Sequence, residues 1–344
     1  MRRSNKLRRI RRFFAGGLGH NYGLPDCVKF VLERLGAPDK PDYWDIAAIT
    51  GDTVAQVYNR NPATGCEYCV SGYLAGPEHL AYVFDALGYA CEYVPAGQID
   101  VKRIVGYINR GIPVLVKTNM YDIPGWNEDV GTYPLVIGYK NKGQTLQLLV
   151  GDKKIIDYEL HDQSKLDFIF IGEKRRDVTL EALYLKAIAK MPHWLTLPER
   201  DGMFFGAAAF RAWADDIEAG RFEDEALPLW ENYGVYVCNL ATSPAIPFFI
   251  FRKLAQMSPA YSRYMMLFDE IVKLLPSFKP DDITLDDSKD GLWSQLEHLG
   301  AGMDLEKTKI TMRDKEKRAM VADALRDYAG RLDKALALLE EYIR

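Results

Sequence analysis

The chain has 344 residues, of which 48% are hydrophobic and 27% are charged. This length allows two domains, and the composition is that of a globular protein rather than a disordered one. The longest apolar runs, 112–116 and 245–251, are much shorter than the roughly 20 residues of a membrane-spanning helix. Because no long apolar segment follows the basic first residues, a secretory signal is not expected, and we predict a cytoplasmic protein without a membrane span.

The charge is unevenly distributed along the chain. The first twelve residues carry seven Lys or Arg and no acid, so the remainder has a net charge of −11 although the whole chain has −4. An acidic body argues against general nucleic-acid binding, because phosphate affinity comes from basic surface. We predict that residues 1–19 form a flexible basic arm, for which contact with an acidic partner or a membrane surface stays open.

The five cysteines do not indicate a disulfide framework or a metal site. They are odd in number and irregularly spaced, and Cys66 and Cys69 form a Cys-x-x-Cys pair without the second pair that a structural zinc site needs. The others are Cys27, Cys91 and Cys238. We therefore expect reduced thiols and no cofactor.

The first half of the chain predicts helices followed by strands. Asp26 as an N-cap and apolar residues at helical spacing predict a helix that starts near Pro25 and places Cys27 in its first turn. Further helices are predicted at 77–87 and 101–109, and strands at 113–117, 133–139, 145–150 and 168–171. This order predicts an α+β domain over residues 20–175, in which the Cys27 helix packs on an antiparallel sheet.

The second half has a different pattern. Helical periodicity recurs at 179–190, 206–219, 249–256, 261–275 and 315–342. We predict a mainly helical domain over residues 176–344.

The predicted position of Cys27 in a first helical turn suggests a nucleophilic thiol. The free amides and the dipole of a first helical turn favour the thiolate, which is the nucleophilic form of cysteine. Asn21 lies six residues earlier and can donate its side-chain amide to an oxyanion if the intervening loop folds back.

The spacing of Asn21 and the pair Asp26-Cys27 resembles that in the papain-like cysteine peptidases and, more closely, in the bacteriocin-leader-processing cysteine peptidases. Those peptidases have a Gln at the position of Asn21. The segments 77–88, 111–116 and 135–139 are similar to the helix and two core strands of that group. The segment 204–214 is similar to the helical part of proteins related to butirosin biosynthesis protein H, which use the same fold for acyl transfer. The resemblance implies a papain-like fold with Cys27 as nucleophile and Asn21 in the oxyanion hole.

The resemblance also implies a histidine that this chain lacks. In the implied fold, the catalytic His opens the strand that leads into Gly138, about six residues earlier, where this chain has Thr132 and Tyr133. Neither serves as base near neutral pH, because tyrosine titrates at about 10 and threonine does not titrate usefully. Asp152 occupies the place of the residue that would orient the histidine.

If the site is active, another group must serve as the base. His20 adjoins Asn21 in sequence and is the alternative base for Cys27. The remaining histidines are interpreted as structural or surface residues: His79, His161, His193 and His298.

The sequence leaves two functions open. The first is a catalytically degenerate papain-like protein that keeps a cleft around Cys27 for a peptide, a small metabolite or a carrier protein. The alternative is a cysteine-dependent acyltransferase or amide hydrolase whose base is His20, Tyr133 or the substrate amine.

Overall fold

The computed structural model describes residues 2–10, 23–37, 41–54, 57–60, 76–118, 122–124, 133–150, 154–161, 164–241, 249–276 and 291–343. The chain divides into two compact units. The sheet unit comprises residues 1–50 and 71–183, and the helical unit comprises residues 51–70 and 184–344. The chain therefore enters the helical unit at 51–70 and returns to the sheet unit, which a single predicted boundary near residue 175 does not capture.

Nine strands occur in the described residues. They are β1 (Asn5–Lys6), β2 (Val57–Asn59), β3 (Tyr89–Val94), β4 (Val114–Lys117), β5 (Leu135–Lys140), β6 (Thr145–Leu149), β7 (Ile155–Glu159), β8 (Asp167–Lys174) and β9 (Met203–Phe205). Strands β2 and β9 pair with each other in the helical unit. The other seven form one antiparallel sheet in the order β3-β8-β4-β5-β6-β7, with β1 beside β5. This sheet and its helices are compatible with the predicted α+β class.

The sheet unit has four helices among its described residues. They are α1 (Gly23–Arg34), α2 (Tyr43–Thr50), α3 (Pro77–Leu87) and α4 (Val101–Asn109). Helix α1 contacts β4, and Val28, Val31 and Val114 are fully buried in the core of this unit.

Helix α1 begins earlier than predicted. It starts at Gly23, so that Cys27 is its fifth residue and lies in the second turn rather than in the first. Pro25 is compatible with this earlier start, because the amide hydrogen that it lacks would have no partner in a first helical turn. Asp26 is therefore a fully buried helical residue and not an N-cap.

The N-terminal segment is held on the sheet. Strand β5 pairs with β4 through Leu135 and Val136 and, further along, with β1 through Gly138 and Tyr139. The amide of Leu7, a buried residue, donates to the carbonyl oxygen of Ile137 at 2.8 Å. Because the predicted flexible arm covers 1–19, the structure differs from the prediction over its described part, residues 2–10.

The helical unit matches the predicted helical periodicity. Its helices are α5 (Leu180–Leu195, which starts at the end of the sheet unit), α6 (Ala207–Glu218), α7 (Tyr233–Tyr236), α8 (Phe249–Met257), α9 (Arg263–Leu274), α10 (Leu292–His298), α11 (Leu305–Arg313) and α12 (Lys315–Ile343). Helices α5, α6, α8, α9 and α12 correspond to the five predicted segments. The short α7, α10 and α11 were not predicted.

Helix α12 is long but amphipathic. It has 29 residues and packs against α6, where the rings of Phe210 and Tyr328 lie 5.2 Å apart. Neither α12 nor any other described helix is both long and apolar enough to cross a membrane.

A buried carboxylate explains why residues 57–60 belong to the helical unit. Asp216 of α6 is 2% exposed and accepts hydrogen bonds from the Tyr58 hydroxyl at 2.8 Å and from Arg60 Nε at 2.7 Å. Arg221 Nε lies 3.2 Å from its other oxygen. Burial, followed by the nearby Asp216 charge, raises the pKa of Tyr58. The hydroxyl of Tyr236 also donates to the Asn59 carbonyl oxygen at 2.6 Å.

Replacing this carboxylate is expected to destabilise the helical unit. Asp216→Asn removes the charge that neutralises Arg60 and Arg221, and we expect a loss of about 3 kcal/mol in the free energy of unfolding. The matched control is Asp215→Asn, because Asp215 is an exposed neighbour paired with Arg326 at 2.9 Å. An exposed pair of this kind contributes less than about 1 kcal/mol. Urea denaturation measures both values, and equal losses would contradict the assignment.

Candidate functional site

Helix α1 places Cys27 in the interior of the sheet unit. The residue is 1% exposed, and its helical neighbours Leu24, Asp26 and Val28 are fully buried. The side chain that the sequence singles out as a nucleophile is therefore covered by protein atoms in this conformation.

The thiol of Cys27 has a hydrogen-bond acceptor at the start of β5. Its Sγ lies 3.0 Å from the main-chain carbonyl oxygen of Tyr133, to which it donates. Tyr133 is two residues before β5, and its side chain is also buried, with 1% exposed. The separation agrees with the packing that the element order predicts, in which Cys27 lies near the start of this strand.

This arrangement favours a protonated thiol. A carbonyl oxygen accepts a hydrogen bond but is not a base that removes the proton, and it presents lone pairs where a thiolate needs donors. The helix dipole adds little to thiolate stability here, because its effect falls off beyond the first turn and Cys27 lies in the second. In this contact Cys27 is therefore a hydrogen-bond donor through its thiol.

No family model matches the chain, and no curated protein sequence matches it. The interpretation of the site therefore rests on its geometry.

The structure brings together two of the predicted site residues. Cys27 and Tyr133 meet as described. The other four, His20, Asn21, Thr132 and Asp152, lie outside the described residues. Their roles as alternative base, oxyanion donor, replaced histidine position and orienting acid remain predictions.

The remaining histidines of the chain lie within the described residues. His79 is buried in α3, whereas His161, His193 and His298 are exposed. His161 stacks on Tyr158 with ring centroids 6.2 Å apart. Burial, followed by the charge of Lys190, lowers the pKa of His193.

The cysteines give no metal centre in the described part of the chain. Cys27, Cys91 and Cys238 are reduced thiols, and the residues described contain no group of three or more His, Cys, Asp or Glu positioned for a metal ion. Cys66 and Cys69 lie outside the described residues.

The sequence does not predict the group that accepts the hydrogen bond from the Cys27 thiol. The sequence pointed to the side chains of Thr132 and Tyr133, whereas the acceptor is a main-chain oxygen. Every residue type has such an oxygen, so no residue pattern identifies it. The carboxylate of Asp216 did leave a signal, because it follows Trp213 by three residues and precedes Ile217 on the apolar face of a helix.

The thiols are expected to differ in their reactivity towards iodoacetamide. Cys238 is exposed, so it should be modified first in the folded protein, although burial raises its pKa somewhat. Burial, aided by the charge of Glu92, raises the pKa of Cys91 to about 12. At a pH below this value, its thiolate fraction should increase about tenfold for each unit by which the pH is raised. Cys27 should react only after denaturation, because it is covered.

Peptide mass spectrometry after timed labelling measures these three rates separately. A Cys238→Ser variant is the control that leaves the slower sites in isolation. Modification of Cys27 or Cys91 in the folded protein at the rate of Cys238 would contradict the assignment.

Proposed function

We propose that this chain is a catalytically degenerate papain-like protein, whose cleft around Cys27 binds a peptide, a small metabolite or a carrier protein without cleaving it. One observation carries the proposal. The buried Cys27 thiol donates a hydrogen bond to the main-chain carbonyl of Tyr133, at the strand start where the resemblance implies a catalytic histidine.

A cysteine enzyme needs a base that takes the thiol proton and returns it to the leaving group, and the base is effective when its pKa is near the working pH. Threonine at 132 and tyrosine at 133 do not meet this requirement. A main-chain carbonyl in contact with Sγ holds the proton on sulfur instead.

Cys27 then has a structural role. A buried free cysteine behaves as a small apolar residue with a weak donor, and its hydrogen bond ties α1 to the chain just before β5. In this proposal the ligand binds through the shape and polarity of the cleft, and no covalent bond to sulfur forms.

The alternative is a cysteine-dependent acyltransferase or amide hydrolase. Helix α1 still places Cys27 beside the start of β5, as that chemistry requires. The thiol would have to leave the Tyr133 carbonyl, become accessible to the substrate, and give its proton to His20, to the Tyr133 phenol or to the substrate amine.

Turnover of an activated substrate distinguishes the two functions. The full chain is incubated with a chromogenic thioester and a chromogenic anilide, and we expect rates equal to the uncatalysed background for the wild type and for Cys27→Ala. The matched control is Cys238→Ala, which removes an exposed thiol of the helical unit. Turnover that Cys27→Ala abolishes and Cys238→Ala keeps would refute the degenerate function and make His20 the next residue to replace.

A structural role for Cys27 predicts a loss of stability when the residue is replaced. Cys27→Ala removes the donor to Tyr133 and a buried sulfur atom, so we expect the free energy of unfolding to fall by about 1–2 kcal/mol. Cys238→Ala should change it by less than about 0.5 kcal/mol, since that side chain is exposed. Chemical denaturation followed by circular dichroism measures both, and an unchanged stability in Cys27→Ala would count against a structural thiol.

A further inference from the structure

We propose that a pocket at the N-terminal strand binds a small phosphate-bearing molecule. This N-terminal pocket has a volume of about 390 Å³ and lies within the sheet unit. Three cations, Arg3, Lys6 and Lys140, and three amides, Asn5, Asn141 and Gln147, line it. The site does not involve Cys27 and is independent of the function proposed above.

The main chain that carries the cations is fixed. Strand β1 pairs with β5, and the carbonyl oxygen of Arg3 accepts a hydrogen bond from the amide of Lys142 at 2.9 Å. The side chain of Asn109 accepts a hydrogen bond from Asn5 at 2.9 Å and another from the Tyr139 hydroxyl at 3.0 Å. Arg3 and Lys6 are therefore presented by an ordered backbone, which lowers the entropic cost of binding an anion.

The pocket carries an excess of positive charge. Lys140 pairs with Asp157, and Gln147 donates to the same carboxylate at 3.3 Å. The hydrogen bond from Lys140, with smaller contributions from Gln147 and the charge of Lys6, lowers the pKa of Asp157. Within the described part of the chain, Arg3 forms no ion pair. Three cations beside one carboxylate leave a positive site on a chain whose net charge is −4.

One wall of the pocket is a strained turn. Asn141 and Lys142 have φ angles of 49° and 57°, and Gly143 follows at 98°. Two consecutive non-glycine residues in the left-handed region cost free energy, and such strain is retained where surrounding contacts enforce it. The Arg3 carbonyl holds Lys142, and the side chain of Asn141 donates to Thr145 Oγ1 at 3.1 Å. These two hydrogen bonds therefore keep Asn141 in the pocket wall.

These features fit a phosphate ester or a small phosphorylated metabolite. Arginine binds phosphate oxygens through two parallel hydrogen bonds, and lysine adds a point charge. Gln147 and Asn141 each donate one amide hydrogen within the protein and keep a second one for a ligand. The volume is that of a small-molecule site. A nucleic acid would instead use the whole basic segment, including Arg2, Arg8 and Arg9, which do not line the pocket.

Calorimetric titration of the full chain with inorganic pyrophosphate at low ionic strength tests this site. We expect the wild type to bind, and Arg3→Ala and Lys6→Ala each to weaken binding by about tenfold, because each removes a charge-assisted contact. The matched control is Arg8→Ala, which removes the same charge from the same exposed segment outside the pocket. Its affinity should fall by less than about threefold.

A variant that keeps every charge separates the pocket from general electrostatics. In Gly138→Ala the new Cβ would lie 2.5 Å from Gln147 Oε1 and 2.9 Å from the Asn5 carbonyl oxygen, so strand β1 must move away from β5. We expect pyrophosphate binding to be lost while circular dichroism shows the remainder of the chain folded. Should this variant unfold, the three surface substitutions decide the question by themselves.

Three results would overturn the proposal. These are the absence of pyrophosphate binding by the wild type, an equal loss of affinity in Arg8→Ala and Arg3→Ala, and tighter binding of a single-stranded oligonucleotide that depends equally on all the arginines. The last result would assign the segment to a polyanion.

Discussion

The pairing of strand β5 along both of its edges is the constraint on which the sheet unit depends. One edge pairs with β6, and the other is shared by β4 and β1. This sharing requires a residue without a side chain at Gly138, because a Cβ there would collide with the main chain of β1. Both sites of the unit lie at the ends of this strand. The Tyr133 carbonyl meets Cys27 just before it, and Lys140 lines the N-terminal pocket at its end.

The surroundings of Cys27 differ from those expected of an accessible nucleophile, because the residue is 1% exposed. In the papain-like fold proposed above, its place beside the strand start would be that of the nucleophile. Its contact is that of a packed thiol, since Cys27 is 1% exposed and its thiol donates a hydrogen bond to a main-chain oxygen. In the proposed degenerate protein, the helix and the strand would keep their packing without a catalytic base, because that packing depends on buried apolar residues such as Val28 and Val114.

The sequence best predicts the helices whose ends are marked by local residues and the strands that form continuous apolar runs. The bounds of α3 and α4 agree with the prediction, because Pro77 with Gly88 and Asp100 with Gly111 mark their ends. The four predicted strands are the interior ones, β4, β5, β6 and β8, which are largely buried on both faces and read as apolar runs. Strands β3 and β7 are the two ends of the sheet and are half exposed, so their sequences carry charged residues and no continuous run.

Features that depend on distant partners were not predictable. Strand β2 has three residues, and its partner β9 begins at Met203, so nothing local assigns it to the helical unit. The N-terminal segment reads as a solvated basic arm, because its pairing with β5 joins Asn5 to Tyr139 and leaves no mark on composition. For the candidate site, the sequence identified Cys27 and the strand start but not the main-chain acceptor. His20, Asn21, Thr132 and Asp152 remain predictions.

The protonation state of Cys27 in the native protein tests the central claim most directly. Raman spectroscopy detects the S–H stretching band of a thiol, and the difference between the wild type and Cys27→Ala isolates the band of this residue. At neutral pH we predict a band displaced to low frequency, as expected for a thiol that donates a hydrogen bond to a carbonyl oxygen. A difference spectrum without an S–H band at neutral pH would show a thiolate, and it would contradict a resting, structural cysteine.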